Sequence, residues 1–500
     1  MPPVSAGDTI RRMIRMLLSL AAASLLAAQP NPFPNNTDVG ATGVKGRAEY
    51  DAAGRAWKIT ASGANVWGAE DAFHFAWKQA AGDITITADI DWATPGGHAH
   101  KKAGPMLRAS LDADSPHASV FVHADGLIAL QFRRTKGGPT EEVRTPMKAP
   151  ARVRLARHGN VISFETARPG GPFQPGGALT VELPETVYAG LAVCSHDNAD
   201  AQTAVFRNVE VEEDGVAGEK ERVVESTLEI VDIRTGERHI VRRALEHFEA
   251  PNWTPDGKAL VYNGGGRIWR IPVEGGAPER IPTGDVRCNN DHVISPDGKW
   301  LAISGSVGRD PSKIYIVPIT GGTPRLVTEK GPSYLHGWSP DGRKLAYCAQ
   351  RNGEYDIYEI SVDGGEEKRL TDAPGLDDGP EYSPDGRLIY FNSDRTGLMR
   401  IWGMNADGSA QRMISQGPES ADWFAHFSPD GKWICYLSYD KSVQGHPPNK
   451  DVVIRLAEAT GANPRVLVTL FGGQGTMNVP NWSPDSTRFA FVSYRLVKKK

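Results

Sequence analysis

Apolar residues fall into short runs along most of this chain, alternating with polar positions or filling a strand's length. Such runs occupy residues 84–90, 118–122, 128–133, 153–157, 161–165 and 205–211. A Gly, Pro or Asp follows each within four residues, and no stretch there carries apolar residues at helical spacing. A period of two bounded by turn residues predicts β-strands. The exception comes early. Arg11, Arg12 and Arg15 precede an unbroken apolar run over 16–28 that ends in small residues. A basic start, a short apolar core and small closing residues predict a secretory signal peptide over 1–28. The run is shorter than a bilayer-spanning helix needs. No later stretch is long and apolar enough to cross as a helix, so none is expected after signal cleavage.

The second half repeats itself. Trp253-Thr254-Pro255-Asp256-Gly257 and Ile294-Ser295-Pro296-Asp297-Gly298 open the series. Copies follow around Pro340, Pro384 and Pro429, and the last is Trp482-Ser483-Pro484-Asp485-Ser486. Successive prolines stand 41, 44, 44, 45 and 55 residues apart. Periods near forty with strand patterning mean one four-stranded blade per copy. Within a copy, Pro presets φ and Gly supplies a positive φ for the turn between the first two strands. In the third copy the second strand is predicted at 344–348 and the third at 357–360. The turn Asp363-Gly364-Gly365 then leads to a short fourth strand at 369–371. The sixth copy holds only two strands, and segments 228–232 and 238–241 carry the pattern of the missing pair. The ring is therefore expected to close by joining strands from both ends in one blade, which hides edges open to other chains.

This motif resembles the repeat of the TolB-like propeller family, over roughly residues 228–494. The resemblance implies a six-bladed β-propeller. Its members include Tol-system periplasmic proteins, oligogalacturonate lyases and the gating propellers of prolyl oligopeptidase-like enzymes. No Gly-x-Ser-x-Gly motif is present, which sets the peptidase version aside.

Residues 35–212 lack the repeat. Phe73-His74-Phe75, the stretch from Ala103 through Gly104 and Pro105 to Arg108, Ser115-Pro116-His117-Ala118, and the stretch from Tyr188 to Val193 carry a second resemblance. They resemble concanavalin/laminin-G-like modules, which implies a jelly-roll β-sandwich that binds glycans or serves as a spacer. The fold expected is thus all-β: signal peptide 1–28, sandwich 35–212, linker 213–222, and propeller 223–500. Trp67, Phe73 and Trp77 are expected in the core rather than as a sugar-stacking platform. His98, His100, His117 and His123 could suggest a metal cluster, but the 98–100 pair lies in a Gly-rich loop where simple exposure is expected.

Composition sharpens the class. A net charge of −4 implies neither nucleic acid nor an anionic membrane surface as partner. The four cysteines, Cys194, Cys288, Cys348 and Cys435, form no CxxC pair and are expected as buried free thiols.

Propeller blades place the connections between last and first strands, and between second and third, at one mouth. The predicted ligand-binding residues there are Asn290, Asp291, Tyr334, Asp377, Asp378, Arg309, Arg395 and Gln474. Glu249, Asn289, Trp423, Arg351, His446 and Lys450 are placed on the same side. His292, His336 and His426 are the candidate metal ligands, since imidazoles with carboxylates suit Zn, Mn or Fe. The resemblance to oligogalacturonate lyases implies a metal-bearing mouth of this kind, with Arg309 or Arg395 gripping a uronate carboxylate. The expected function is an exported protein, periplasmic or secreted, that binds a saccharide or an envelope protein at the mouth. The sandwich would be its accessory module. The alternative is a metal-assisted carbohydrate lyase or hydrolase at the same mouth.

Overall fold

The computed structural model describes residues 30–499 except 55 and 94. The expected signal peptide lies outside the described residues. Among the described residues all regular structure is β apart from one short helical turn, Glu219–Glu221. Among the described residues no helix is long and apolar enough to cross a membrane.

The N-terminal segment holds two seven-stranded antiparallel sheets. Each of the six strands predicted there lies within an observed strand, the longest being Asp197–Gly215. Alternation explains the packing, because every second residue of a strand faces one way. Trp57, Ile86, Leu155 and Phe206 from one sheet share a core with Leu107, Val120, Leu130 and Leu191 from the other. Phe73 is buried beside Phe75, and Trp77 packs edge-on against Tyr188. Trp67 was expected in the core as well but is half-exposed, with Lys102 Nζ over its ring. A buried ion network closes one end. Asp71 receives Arg108 Nη1 at 2.7 Å and Arg133 Nη2 at 2.7 Å, and all three side chains are fully buried.

The second half is a ring of six sheets. Five have four strands each, starting at Phe248–Trp253, Arg287–Ile294, Ser333–Trp338, Asp377–Tyr382 and Ser420–Phe427. The sixth joins Arg488–Lys498 to Arg222–Asp232, and that strand to Arg238–Ala244. The expected linker is shorter than 213–222, since one strand runs to Gly215 and the next begins at Arg222. Blade five carries the widest proline spacing: its second strand reaches Asp440 and its third begins at Pro448, leaving 441–447 as the connection. The extra length lies in longer strands.

The repeat motif is a hydrogen-bonded turn. In the third copy Ser339 Oγ donates to Asp341 Oδ1 at 2.6 Å, and that carboxylate accepts the Arg343 N–H at 3.1 Å. Ser339 Oγ in turn accepts the Lys344 N–H at 2.9 Å. All six copies repeat the hydroxyl–carboxylate bond at 2.6 to 2.7 Å. Gly342 sits at φ +74° with open space where a Cβ would go. A Gly342→Ala change therefore meets only backbone strain and is expected to cost about 1 kcal/mol. A lowered urea midpoint with unchanged slope would register it; an unshifted midpoint would show that the turn relaxes freely. The sixth copy puts Ser486 in the same region at φ +61°, where its Oγ accepts the Asp430 N–H at 3.0 Å.

The four cysteines are buried free thiols. Side chains also join the two halves. Arg222 is paired with Asp83 at 2.7 Å, and Thr180 donates through N–H and Oγ to Asp451 at 2.9 Å.

Candidate functional site

The first strand of each blade approaches the ring axis and loses regular pairing where it reaches the mouth. Register breaks fall at 249/252, 288/292, 335/337, 378/381 and 423/426 in blades one to five. Ala250, Gly379 and Phe424 stand at the same repeat position, five residues before the proline. All three have positive φ, at 56°, 60° and 53°. For Ala250 and Phe424, though not for the glycine, such a backbone is strained and is held only by the surrounding fold. Asn392 fixes the last of them, its Oδ1 accepting the Phe424 N–H at 2.8 Å.

These irregular strands enclose a cavity of about 530 Å³. Asn289, Asn290, Asp291, Tyr334, His336, Asp378 and Gln474 line it. So do Cys348, Tyr355, Leu376, Phe424, His446 and Asn478. A second cavity of about 400 Å³ lies at the Pro-Asp-Gly turns of blades two and three. Its polar lining is exposed or bound within the turns, and it gathers no buried ionisable cluster, so the mouth is the candidate site.

Its electrostatic centre is His336. Nε2 lies 3.3 Å from Asp378 Oδ1 and 3.9 Å from Asp291 Oδ1, while Nδ1 donates to the Asn478 carbonyl at 3.1 Å. Burial pushes this imidazole's pKa down, but Asp291 and Asp378 outweigh it and raise the value to about 9. Asp378 responds in kind: burial pushes it up, and His336 brings it down to about 2. Burial raises Asp291 to about 6 despite His336. Glu249, next to that group, is raised to about 7 by burial and by the Asp291 charge. At neutral pH the cavity therefore holds one imidazolium against two carboxylates.

Five of the eight predicted ligand-binding residues line this cavity: Asn290, Asp291, Tyr334, Asp378 and Gln474. The other three do not. Arg309 is exposed. Arg395 binds Asp377 at 2.8 Å and Ser393 Oγ at 2.7 Å, with its guanidinium over the Phe391 and Trp402 rings. Asp377 and Asp378 are neighbours on one strand, so one faces the blade and the other the axis.

The three histidines are not brought to one point. His292 Nδ1 and Nε2 lie 3.0 and 3.3 Å from the carbonyls of Asn290 and Val261. His426 Nδ1 is 2.6 Å from Glu381 Oε2, and its Nε2 is 3.2 Å from the Met477 carbonyl. Of the three, only His336 lines the cavity. Among the described residues, no set of three imidazole and carboxylate ligands converges at the mouth. The donor set expected for Zn, Mn or Fe does not fit there.

Sequence reading missed Cys348, Tyr355, Leu376, Phe424 and Asn478. Phe424 and Asn478 carried a usable signal, standing five and six residues before a repeat proline. His446, placed on this side from its loop, packs edge-on to Trp423 and Phe424 with ring centroids 4.4 and 5.3 Å away.

Six sheets arranged around an axial cavity define a six-bladed β-propeller. Comparison with known proteins gives the family. Residues 308–448 match the model of the PD40 TolB beta propeller domain. An uncharacterized protein of Agrobacterium fabrum is 50% identical over 271 residues, 54% of this chain and 92% of that protein. The chain belongs to the TolB-like β-propeller family. A solved structure of a TolB assignment from Agrobacterium tumefaciens is 50% identical and covers 54% of this chain and 99% of its own, with a TM-score of 0.53. The Tol-Pal system protein TolB of Bordetella pertussis is 29% identical over 151 residues, and the match spans 33% of that protein.

Proposed function

We propose that this is an exported binding protein of the cell envelope, periplasmic or secreted, whose propeller mouth takes a cation-bearing polar segment of a partner protein. The observation that carries the reading is the cavity's charge. Asp291 and Asp378 face the single imidazolium of His336, which leaves a net negative interior. Arg395 is committed to Asp377 and Arg309 lies outside, so an anionic ligand has no guanidinium to meet it. A lysine, arginine or terminal amine would complete the charge balance in a setting where solvent screens little. Gln474 Oε1 is buried without a partner and offers a further acceptor. Tyr334, Tyr355 and Phe424 would cover the apolar stem of such a side chain. The relatives named as Tol-Pal system proteins support the envelope setting, and the basic-then-apolar start over residues 11–28 supports export.

The two-sheet segment, residues 35–212, is the accessory module in this reading, a concanavalin/laminin-G-like jelly-roll sandwich that spaces the propeller, residues 223–500. A metal-assisted lyase or hydrolase draws less support, because its arginine grip and its imidazole trio have no counterpart in the cavity lining.

Thermal shift of the whole chain separates the ligand classes. Arginine- and lysine-containing peptides are expected to raise the propeller's melting temperature, and Asp378→Asn to abolish that rise. Stabilisation by oligogalacturonate with no response to cationic peptides would overturn the reading. A response to neutral oligosaccharides alone would replace the protein partner with a sugar.

A further inference from the structure

A second cluster of ionisable groups lies far from the mouth, on the N-terminal two-sheet segment. His100, His123 and Asp125 each offer a ligand atom, and these atoms lie within 4.8 Å of one another. Among the described residues no other group of imidazole, thiol or carboxylate side chains converges in this way. We propose that His100, His123 and Asp125 form a binding site for a divalent transition metal, with zinc the best match to the donors.

Backbone bonds preassemble the site. The Asp125 N–H donates to the Ala99 carbonyl at 3.0 Å, and the Ala124 N–H to the Lys101 carbonyl at 3.2 Å. They fasten the Gly-rich loop to the turn after strand His117–His123. Asp125 Oδ1 accepts the Leu127 N–H at 3.0 Å, which turns Oδ2 towards His100 Nδ1, 3.5 Å away. Outer bonds of this kind orient a ligating carboxylate.

His123 supplies the independent sign of a ligand. It is 3% exposed, and both of its ring nitrogens are buried without a hydrogen-bond partner. A buried polar atom left unbonded costs about 1–3 kcal/mol. The other buried histidines, His74, His117, His292, His336 and His426, each have a polar partner for at least one nitrogen. A metal on His123 would remove that deficit. Tetrahedral zinc with bonds of about 2.0–2.1 Å needs the ligand atoms closer together than they stand here. The half-exposed His100 ring is free to rotate inward and close the gap.

Two more imidazoles crowd the spot. His196, at φ +64°, stacks on His98 with ring centroids 4.0 Å apart, and lies 6.1 Å from His100. His98 Nδ1 already accepts the His100 N–H at 3.0 Å. The fourth position therefore falls to His196 or to water. His117 is excluded, since its ring turns to Ser119 beside the Asp71 network. Lys102, the register partner of His123, works against a cation, but Val66 and Gln131 hold its ammonium at 2.9 and 3.0 Å. Two imidazoles and one carboxylate select zinc, cobalt, nickel or copper over calcium and magnesium, which take oxygen ligands.

Cobalt titration of the untagged full chain, first stripped with a chelator, is the test. The folded protein is expected to bind one Co2+ with the visible absorption of a tetrahedral N/O site, and Zn2+ to displace it. His100→Ala and Asp125→Asn, both at exposed positions, should weaken binding by about tenfold or more. His239→Ala, at an exposed strand position of the propeller, should leave it unchanged. The proposal fails if the folded wild type takes up neither metal, if both site variants bind as the wild type does, or if His239→Ala removes the signal.

Discussion

Replacing Asp71 by alanine is expected to unfold or nearly unfold the N-terminal two-sheet segment. Arg108 and Arg133 are fully buried, and each sends a guanidinium N–H to this one carboxylate at 2.7 Å. Carbonyls take several of the remaining donors: Arg133 reaches those of Gly68 and Ser115, and Arg108 reaches that of Ser110. None of these carries charge. Removing the carboxylate leaves two cations in a medium that solvates them poorly, and breaking a buried pair this way costs about 3–5 kcal/mol. That is a large share of a typical domain stability of about 5–15 kcal/mol. Asp71→Asn keeps one acceptor oxygen and should fall between alanine and the wild type. Urea unfolding followed by tryptophan fluorescence reads the effect, since Trp57 sits in this core. An alanine variant that unfolds at the wild-type midpoint would mean the guanidiniums are satisfied without Asp71.

The second large effect is a loss of propeller stability as pH rises from about 6.5 to 9. His336 titrates at 6.5 in the unfolded chain and at about 9 in the ring. Between those values the folded state holds a proton that the unfolded state has released, so stability falls with rising pH. The contribution is fully present below pH 6.5 and gone above about 9. Its size is about 3 kcal/mol, from the width of that window. Glu249 and Asp291, raised to about 7 and 6, act in the same direction at lower pH. His292, lowered to about 4 by burial, opposes them below 6.5. Above that value His336 governs. Melting the propeller across the pH series, with His336→Gln as reference, measures the slope. The variant should be flat where the wild type falls, and a flat wild type would exclude a buried imidazolium at the mouth.

How much of this was legible in the chain follows from the range of the forces involved. The Pro-Asp-Gly turn is closed by bonds among neighbours, as in Ser339, Asp341, Arg343 and Lys344, so each copy announces its blade. Placing the strand connections at one mouth also found Asp291, Tyr334 and Asp378. That placement could not tell Asp377 from Asp378, because the difference is which side of one strand each occupies and whether Arg395 waits there. It also grouped His292 and His426 with His336, whereas the carbonyls of Val261 and Met477 that engage them come from other strands and blades. The position of Phe424 was readable from its repeat spacing, but its left-handed backbone was not, because Asn392 on the adjoining blade holds it. In the N-terminal segment the strands were readable from alternation. The meeting of His100 with His123 depended on loop paths that no local pattern encodes.

The way the ring is completed has a bearing on its biogenesis. Arg222 lies opposite Lys498 in an eleven-residue ladder, and both ends of the propeller leave the circle side by side. Five sheets can be finished while the sixth still waits for its final strand. Until Arg488–Lys498 arrives, the emerging polypeptide is an open arc in which Arg222–Asp232 has one edge bare, the stage at which it is most exposed to mispairing with its neighbours.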